Sequence, residues 1–260
     1  MKGHQDSLNC WVTGASSGLG REIVLQLAKK GHRVYATARD AGALDALSAA
    51  YPACIVPLAC DVTDEQAMSG LLAQAEGLQH LDVVILSAGI CEYVDVPDID
   101  TALIRRVMET NFFGAVNACK AALPWLKKAV GSGFKPRIIG ISSLSTVTGF
   151  PRNEAYGSSK AAFEYFLDAL RCDIGNQIQI TTVRPGFIQT PLTAKNDFPM
   201  PFLMQADEAA KQVVSRVEQV RLRFAFPWQL DWLLGIARMF PRLWYGPVMR
   251  QLLQKSRTNT

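Results

Sequence analysis

Three glycines, Gly14, Gly18 and Gly20, fall within the eight residues Thr13-Gly14-Ala15-Ser16-Ser17-Gly18-Leu19-Gly20. A short β-type run, residues 8–13, precedes this stretch, and a helical pattern, residues 21–30, follows it. A strand that turns so tightly into a helix lets its backbone approach a bulky anion, and the helix N-terminus offers it N–H groups and partial positive charge. The same glycines also suit a plain tight βα turn. Their place at the first strand–helix junction favours a dinucleotide pyrophosphate.

The rest of the chain repeats the same alternation. Strand-like runs are expected at residues 33–39, 53–59, 81–86, 137–141, 178–184 and 222–226, with helical stretches at about 41–50, 101–128 and 155–175 between them. Residues 81–86, Leu-Asp-Val-Val-Ile-Leu, are almost continuously apolar, as expected of a parallel strand covered on both faces. Thr63-Asp64-Glu65-Gln66 reads as a capping box opening a further helix. Asn111 stands in the middle of the 101–128 stretch, where its amide competes for backbone bonds, so a local kink or a specific task is expected there. Such regular alternation implies right-handed crossovers. The fold class is α/β: a Rossmann-type, doubly wound, seven-stranded parallel sheet with helices on both faces.

In a dinucleotide fold the end of the second strand meets the adenosine ribose. A carboxylate there would accept from the 2′-hydroxyl and repel a 2′-phosphate, yet the strand ends Ala38-Arg39. Arg39 can grip a 2′-phosphate through charge-assisted bonds, or it can be a solvated surface cation. NADP(H) is therefore the expected cofactor, with NAD(H) as the alternative.

Tyr156 and Lys160 stand four residues apart, one turn of a helix. A free phenol titrates near pH ~10, and an adjacent ammonium favours its phenolate. The pair can thus pass a proton to and from a substrate oxygen, although a half-buried Tyr beside a surface Lys shares the spacing.

Together these features resemble the short-chain dehydrogenase/reductase family. The resemblance runs over about residues 7–227. It is carried by Thr13-Gly14-x-x-x-Gly18-x-Gly20, Asp61, Ala88-Gly89, Asn111, Ser143, Tyr156-x-x-x-Lys160 and Pro185-Gly186-x-x-x-Thr190. It implies that Tyr156 is the general acid/base, that Lys160 lowers its pKa and holds the nicotinamide ribose, and that Ser143 binds the substrate oxygen. Asn111 would support a water-linked proton path. The implied cofactor set is Gly14, Ser16, Ser17, Gly18, Leu19, Gly20, Arg39, Asp61, Val62, Ala88, Gly89, Tyr156, Lys160, Pro185, Gly186, Ile188 and Thr190, with Asp61 at the adenine and Ile188 and Thr190 at the nicotinamide. The family also implies a homodimer through its fourth and fifth helices. One departure is Leu86-Ser87-Ala88-Gly89, where the family commonly has Asn-Asn-Ala-Gly; the turn-stabilising asparagine is missing.

Composition excludes other classes. A net charge of +4 over 260 residues does not argue for nucleic acid. No apolar run approaches 18 residues, the start Met1-Lys2-Gly3-His4 lacks a secretory apolar core, and the six cysteines show neither C-x-x-C nor zinc-like spacing. No metal site is expected, and the cysteines read as reduced thiols of a cytoplasmic protein.

Two segments bear on substrate and placement. Residues 187–206 carry Leu192, Phe198, Met200, Phe202, Leu203 and Met204 among three prolines, which suits a lid over a hydrophobic carbonyl or alcohol substrate, or a cap on the core. Residues 1–227 read as one dinucleotide-binding and catalytic domain, and residues 228–260 as an apolar, basic extension. Pro227 and Pro241 bracket a short helix with Trp228, Trp232, Ile236 and Met239 on one face, and from Gln219 onward seven cations face one acid, Asp231. Such a segment can lie on a membrane surface, or pack on the cleft or on a second subunit. Two functions follow: an NADP(H)-dependent oxidoreductase interconverting a carbonyl and a secondary alcohol, or a catalytically weak NADP(H)-binding sensor or scaffold on the same fold.

Overall fold

In chain order the elements are β1 (Asn9–Thr13), α1 (Gly18–Lys29), β2 (Arg33–Ala38), α2 (Ala41–Ala50), β3 (Ile55–Ala59), α3 (Glu65–Leu71), β4 (Val83–Leu86), α4 (Thr101–Met108), α5 (Gly114–Lys128), β5 (Arg137–Ile141), α6 (Glu154–Ile174), β6 (Gln179–Pro185), β7 (Ile188–Gln189), β8 (Met204–Gln205), α7 (Ala206–Val214), β9 (Arg223–Phe226) and α8 (Trp228–Met239). The computed structural model describes residues 7–251 except 132, 218 and 220. The Met1-Lys2-Gly3-His4 start and residues 252–260 of the extension, with Lys255 and Arg257, lie outside the described residues.

Seven strands make one sheet in the order β3-β2-β1-β4-β5-β6-β9, every neighbouring pair parallel. The apolar runs are continuous because successive side chains enter two different cores. Val12, Val34, Val83 and Ile85 pack with Ile23 and Leu27 of α1, Leu44 of α2 and Val213 of α7. Trp11, Tyr35, Val84 and Ile138 pack on the opposite face with Met68 of α3, Leu126 of α5, and Phe163 and Leu167 of α6. Each fully buried side chain of this size contributes about 1.5–3 kcal/mol. The buried Trp11 indole N–H is satisfied by Thr37 Oγ1 at 2.9 Å.

One residue sets how closely α6 lies on the sheet. A Cβ at Gly140 in β5 would sit 2.4 Å from Leu167 Cδ1 and 2.8 Å from Phe163 Cζ. A side chain at 140 would force Leu167 and Phe163, which seat the helix carrying Tyr156 and Lys160, to repack.

Three local details refine or depart from the sequence reading. The kink expected at Asn111 within 101–128 is a π-turn, Glu109–Phe113, between α4 and α5. The capping box at Thr63 is not formed. Asp64 is the N-cap, accepting from Ala67 N at 2.9 Å, while the Thr63 hydroxyl donates to Asp61 Oδ1 at 2.9 Å. An acid can cap where a hydroxyl could, and the tight Asp61–Thr63 turn claims the hydroxyl first. Third, the proline-rich 187–206 segment contains a small parallel ladder, β7 with β8, instead of irregular chain alone.

After β9, α8 turns back onto the body. Leu230, Leu234, Trp244 and Met249 form a small core with Leu144 and Val147, and the Trp244 indole N–H donates to Gly149 O at 2.9 Å. All six cysteines are unpaired, and no helix among the described residues is long and apolar enough to cross a membrane.

Candidate active site

The parallel sheet brings the C-terminal ends of β1, β2, β4, β5 and β6 to one edge. There the chain order reverses between β1 and β4, which is where an open α/β sheet leaves a crevice. The glycine turn lies in that crevice. Gly14 has φ +70°, and a Cβ on it would stand 2.7 Å from Ala88 Cα; one on Gly20 would stand 2.2 Å from Gly14 O. Backbone therefore runs against backbone, and no side chain caps the N-terminus of α1 at Ser17. This is a cradle open to an anion, and it fits a dinucleotide pyrophosphate. Gly18 faces Thr190, 3.2 Å from the position of its own Cβ, so the segment after Pro185-Gly186 is brought to the same place. Ile188 is buried beneath it in the core.

The missing asparagine at the end of β4 has a replacement. Thr13 Oγ1 accepts from both Ser87 N (3.2 Å) and Ala88 N (3.4 Å), tying the 87–89 turn to the end of β1.

At the end of β2, Arg39 is exposed and stands 3.8 Å from Asp61 Oδ2, beyond β3. Asp40, the acid next to it, is turned away: its carboxylate caps α2 by accepting from Ala43 N at 3.0 Å. Val62 is buried, and its carbonyl accepts from Asn117 Nδ2 at 3.0 Å.

Asn111 and Lys160 meet at Gly89, and Tyr156 with its neighbour Ser143 lies beside them, the Lys160 Nζ standing 5.9 Å from the centre of the Tyr156 ring. Asn111 is 1% exposed and clamps Ile90 from both sides: its Oδ1 accepts from Ile90 N at 2.7 Å, and its Nδ2 donates to Ile90 O at 2.9 Å and to Ser159 Oγ at 3.0 Å. The π-turn widens the backbone here so that this amide points at the 89–91 loop. Lys160, 4% exposed, donates to Ile141 O at 2.9 Å. Asn111 Oδ1 and Lys160 Nζ both approach Gly89, 3.2 and 3.3 Å from where its Cβ would be. Ser143 Oγ accepts from Ser145 N at 3.1 Å, and Ser143 lies close enough to the Tyr156 phenol to favour its ionised form.

Burial decides the electrostatics. It pushes the Tyr156 phenol well above its ordinary value, the Cys91 sulfur adding to the rise and the nearby Ser143 opposing it. Burial also lowers Lys160 to about 8, against the raising influence of Cys91 and Glu164. The sequence expectation that Lys160 sets the phenol's pKa misses this desolvation, which acts on both groups toward their neutral forms. At neutral pH the phenol holds its proton.

Three residues that carry the site were not singled out from the sequence. Glu164 lies one turn beyond Lys160 on α6, Arg184 is the last residue but one of β6, and Ser142 precedes Ser143. Glu164 Oε1 accepts from Arg184 Nε at 2.8 Å, Ser142 Oγ at 2.7 Å and Thr146 Oγ1 at 2.9 Å, and Arg184 Nη2 completes a bidentate pair with Oε2. Thr146 Oγ1 also reaches Ser143 O at 2.9 Å. The turn bearing Ser143 is thus pinned from beneath. Burial alone would push the Glu164 carboxyl up, but Arg184, Ser142 and Thr146 hold it below its usual value. The legible signal was an acid on the core-facing side of α6, one turn past Lys160. Glu164→Gln should cost about 3–5 kcal/mol, because it leaves the Arg184 charge buried with a lost acceptor, and adding Arg184→Met should recover most of that. Urea unfolding checks this, and a cost under about 1 kcal/mol for the single change would show that the pair does not hold the turn.

The 187–203 segment closes one side. Phe198 packs edge-on against both Tyr93 and Phe187 with ring centroids 6.0 Å apart, the Tyr93 hydroxyl bonds Asn196, and Arg152 pairs with Asp197 at 3.0 Å.

Comparisons with known proteins agree with this geometry. The family profile described as short chain dehydrogenase matches residues 9–199. An uncharacterized oxidoreductase of Myxococcus xanthus is 34% identical over 249 residues, 93% of this chain and 96% of that protein. A 3-ketodihydrosphingosine reductase of Bacteroides thetaiotaomicron is 33% identical over 187 residues, 70% of this chain and 64% of that one. Among solved structures, an actinorhodin polyketide ketoreductase with NADPH superposes with a TM-score of 0.77 at 24% identity, covering 87% of this chain and 98% of the other, a likeness of fold.

Proposed function

Because the chain belongs to the short-chain dehydrogenase/reductase family, an oxidoreductase family, we propose that it is an NADP(H)-dependent enzyme interconverting a carbonyl and a secondary alcohol on a hydrophobic substrate. The observation that carries this reading is the meeting of Ser143, Tyr156, Lys160 and Asn111 beside an open glycine cradle. The turn from Gly14 through Ser16, Ser17, Gly18 and Leu19 to Gly20 would hold the pyrophosphate, and Arg39 a 2′-phosphate. Asp61 and Val62 would face the adenine, Ala88 and Gly89 would line the middle of the cleft, and Pro185, Gly186, Ile188 and Thr190 would position the nicotinamide half. That cofactor, when bound, supplies or accepts the hydride.

The chain's own residues handle the oxygen. Ser143 fixes the carbonyl oxygen within reach of the Tyr156 phenol, which gives up its proton as negative charge develops there. Lys160 is cationic below about pH 8 and stabilises the phenolate left behind. Asn111, bridging Ile90 and Ser159, supports the path along which the proton is replaced. A phenol that is protonated at neutral pH suits reduction of a ketone. The aromatic wall of Tyr93, Phe187 and Phe198 supports an apolar substrate, and the Bacteroides thetaiotaomicron relative is called a 3-ketodihydrosphingosine reductase.

A homodimer is read on a groove of about 500 Å³ on the outer face of α5 and α6, lined by Val116, Leu123, Pro124, Phe166 and Leu170. Its apolar lining, with Lys120 and Lys127 also lining the groove, supports a contact between copies of the chain there. A chain-mass particle of 28.5 kDa in light scattering would contradict the dimer.

The activity is tested by mixing purified protein with NADPH and a panel of apolar ketones. Oxidation of NADPH that depends on the ketone is expected. Cofactor binding without turnover on any ketone favours the sensor or scaffold.

A further inference from the structure

Helix α8 is apolar on two opposite faces. At 100° per residue, Leu230, Leu234 and Ala237 share one side, and they pack against Leu144, Val147 and Gly186 of the body. Trp228, Trp232, Gly235 and Met239 share the other, at spacings of four, three and four residues, while Ile236, expected on this face, lies to its side and is half-buried. That second stripe faces solvent. Trp228 is 71%, Trp232 66% and Met239 73% exposed, and nothing stands within 4 Å of where a Gly235 Cβ would be. Phe240, Leu243 and Tyr245 extend the exposed apolar surface past the helix end. A helix apolar on both faces is normally buried on both, so the outer stripe lacks its partner.

The charge around the stripe says what that partner is. Arg238, Arg242 and Arg250 are exposed in the same segment. The single acid from 221 to 251, Asp231, lies seven residues before Arg238 on the same flank of α8 and also acts on the Arg184 charge, which leaves Arg242 and Arg250 in excess. A second protein surface apolar enough to cover the tryptophans would leave these arginines facing uncompensated charge. An anionic bilayer accepts both at once, with Trp and Met entering the headgroup boundary and Arg meeting the lipid phosphates. We propose that α8 and residues 240–250 form a peripheral docking surface for an anionic lipid membrane. Leu230, on the opposite side of the same helix, lies beside Gly186 just past β6, so docking sets the rim of the crevice one helix diameter, roughly 10 Å, from the bilayer surface.

The structure also selects the variant. Cutting the chain after Pro227 would uncover Leu144, Val147 and Gly186, and would confuse docking with packing. Trp228→Ser, Trp232→Ser and Met239→Ser together touch exposed positions alone.

The full-length protein and this triple variant are sedimented with vesicles of phosphatidylcholine alone and of phosphatidylcholine with phosphatidylserine, with melting temperature and light-scattering mass as controls. The wild type should pellet with the anionic vesicles and be released by salt, since each cation near an anionic leaflet multiplies affinity roughly five-fold. The triple variant should bind those vesicles at least about 10-fold more weakly, with melting temperature and mass unchanged. A wild type that does not pellet with anionic vesicles overturns the proposal. So does a variant that pellets equally, or one whose only change is a lower mass, which would make the stripe a contact between copies of this chain.

Discussion

Replacing Tyr156 by phenylalanine should lower turnover by roughly 10²-fold or more while the protein stays folded and still binds its cofactor. The change removes one oxygen from a helix whose packing rests on Phe163 and Leu167 against Gly140, two turns and more away, so the fold has no reason to respond. What disappears is the proton donor beside Ser143. The phenol is held protonated by its burial, with Cys91 reinforcing that state, so the loss should fall on carbonyl reduction throughout the neutral pH range. Steady-state assay of both proteins on one ketone, with melting temperature as the folding control, measures it. Comparable turnover in the phenylalanine variant would assign the proton to another group.

The second large effect concerns the cofactor. Each charge-assisted bond to a phosphate contributes about 1.5–3 kcal/mol, so Arg39 should give a preference for NADPH over NADH of roughly 10- to 150-fold in kcat/KM. The structure sharpens the expectation. Asp40 is committed to capping α2, which leaves Arg39 as the charge at the end of β2, with Asp61 3.8 Å away to orient its guanidinium. Arg39→Asp should move the preference toward NADH, because a carboxylate there accepts from a ribose hydroxyl and repels a phosphate. The wild type using both cofactors with equal kcat/KM would sink this reading.

Most of the scaffold was legible because it rests on local rules. The strands read as apolar runs since both faces of the sheet are covered, and the glycine turn reads as a close approach since backbone does meet backbone at Gly14 and Gly20. Tyr156 and Lys160 were legible as a pair because helix geometry alone puts them on one face. What the sequence hid depends on tertiary neighbours. Neighbours in sequence say that an ammonium lies near a phenol, but only the packed structure shows that desolvation outweighs it and lowers Lys160 to about 8. Glu164 and Arg184 lie 20 residues apart on a helix and a strand, and their pairing under Ser143 follows from how α6 crosses β6. Likewise Asn111 announced a disturbance in a long helix, while the π-turn and the clamp on Ile90 required the 89–91 loop to be in place. In α8 the sequence suggests one apolar face through Trp228, Trp232, Ile236 and Met239. Only contact with Leu144 and Val147 decides that the Leu230 side is covered and the Trp232 side is not.

The central claim is that these residues reduce a carbonyl with a hydride from NADPH. Its most direct test uses NADPH carrying deuterium at the transferable position of the nicotinamide, incubated with the wild-type protein and an apolar ketone that it consumes, followed by mass spectrometry of the alcohol. One deuterium on the carbinol carbon per NADPH oxidised, and almost none formed by Tyr156→Phe in the same time, is the result expected. Tight NADPH binding with no labelled alcohol from any ketone in the panel would contradict the claim and leave a nucleotide-binding sensor on this fold.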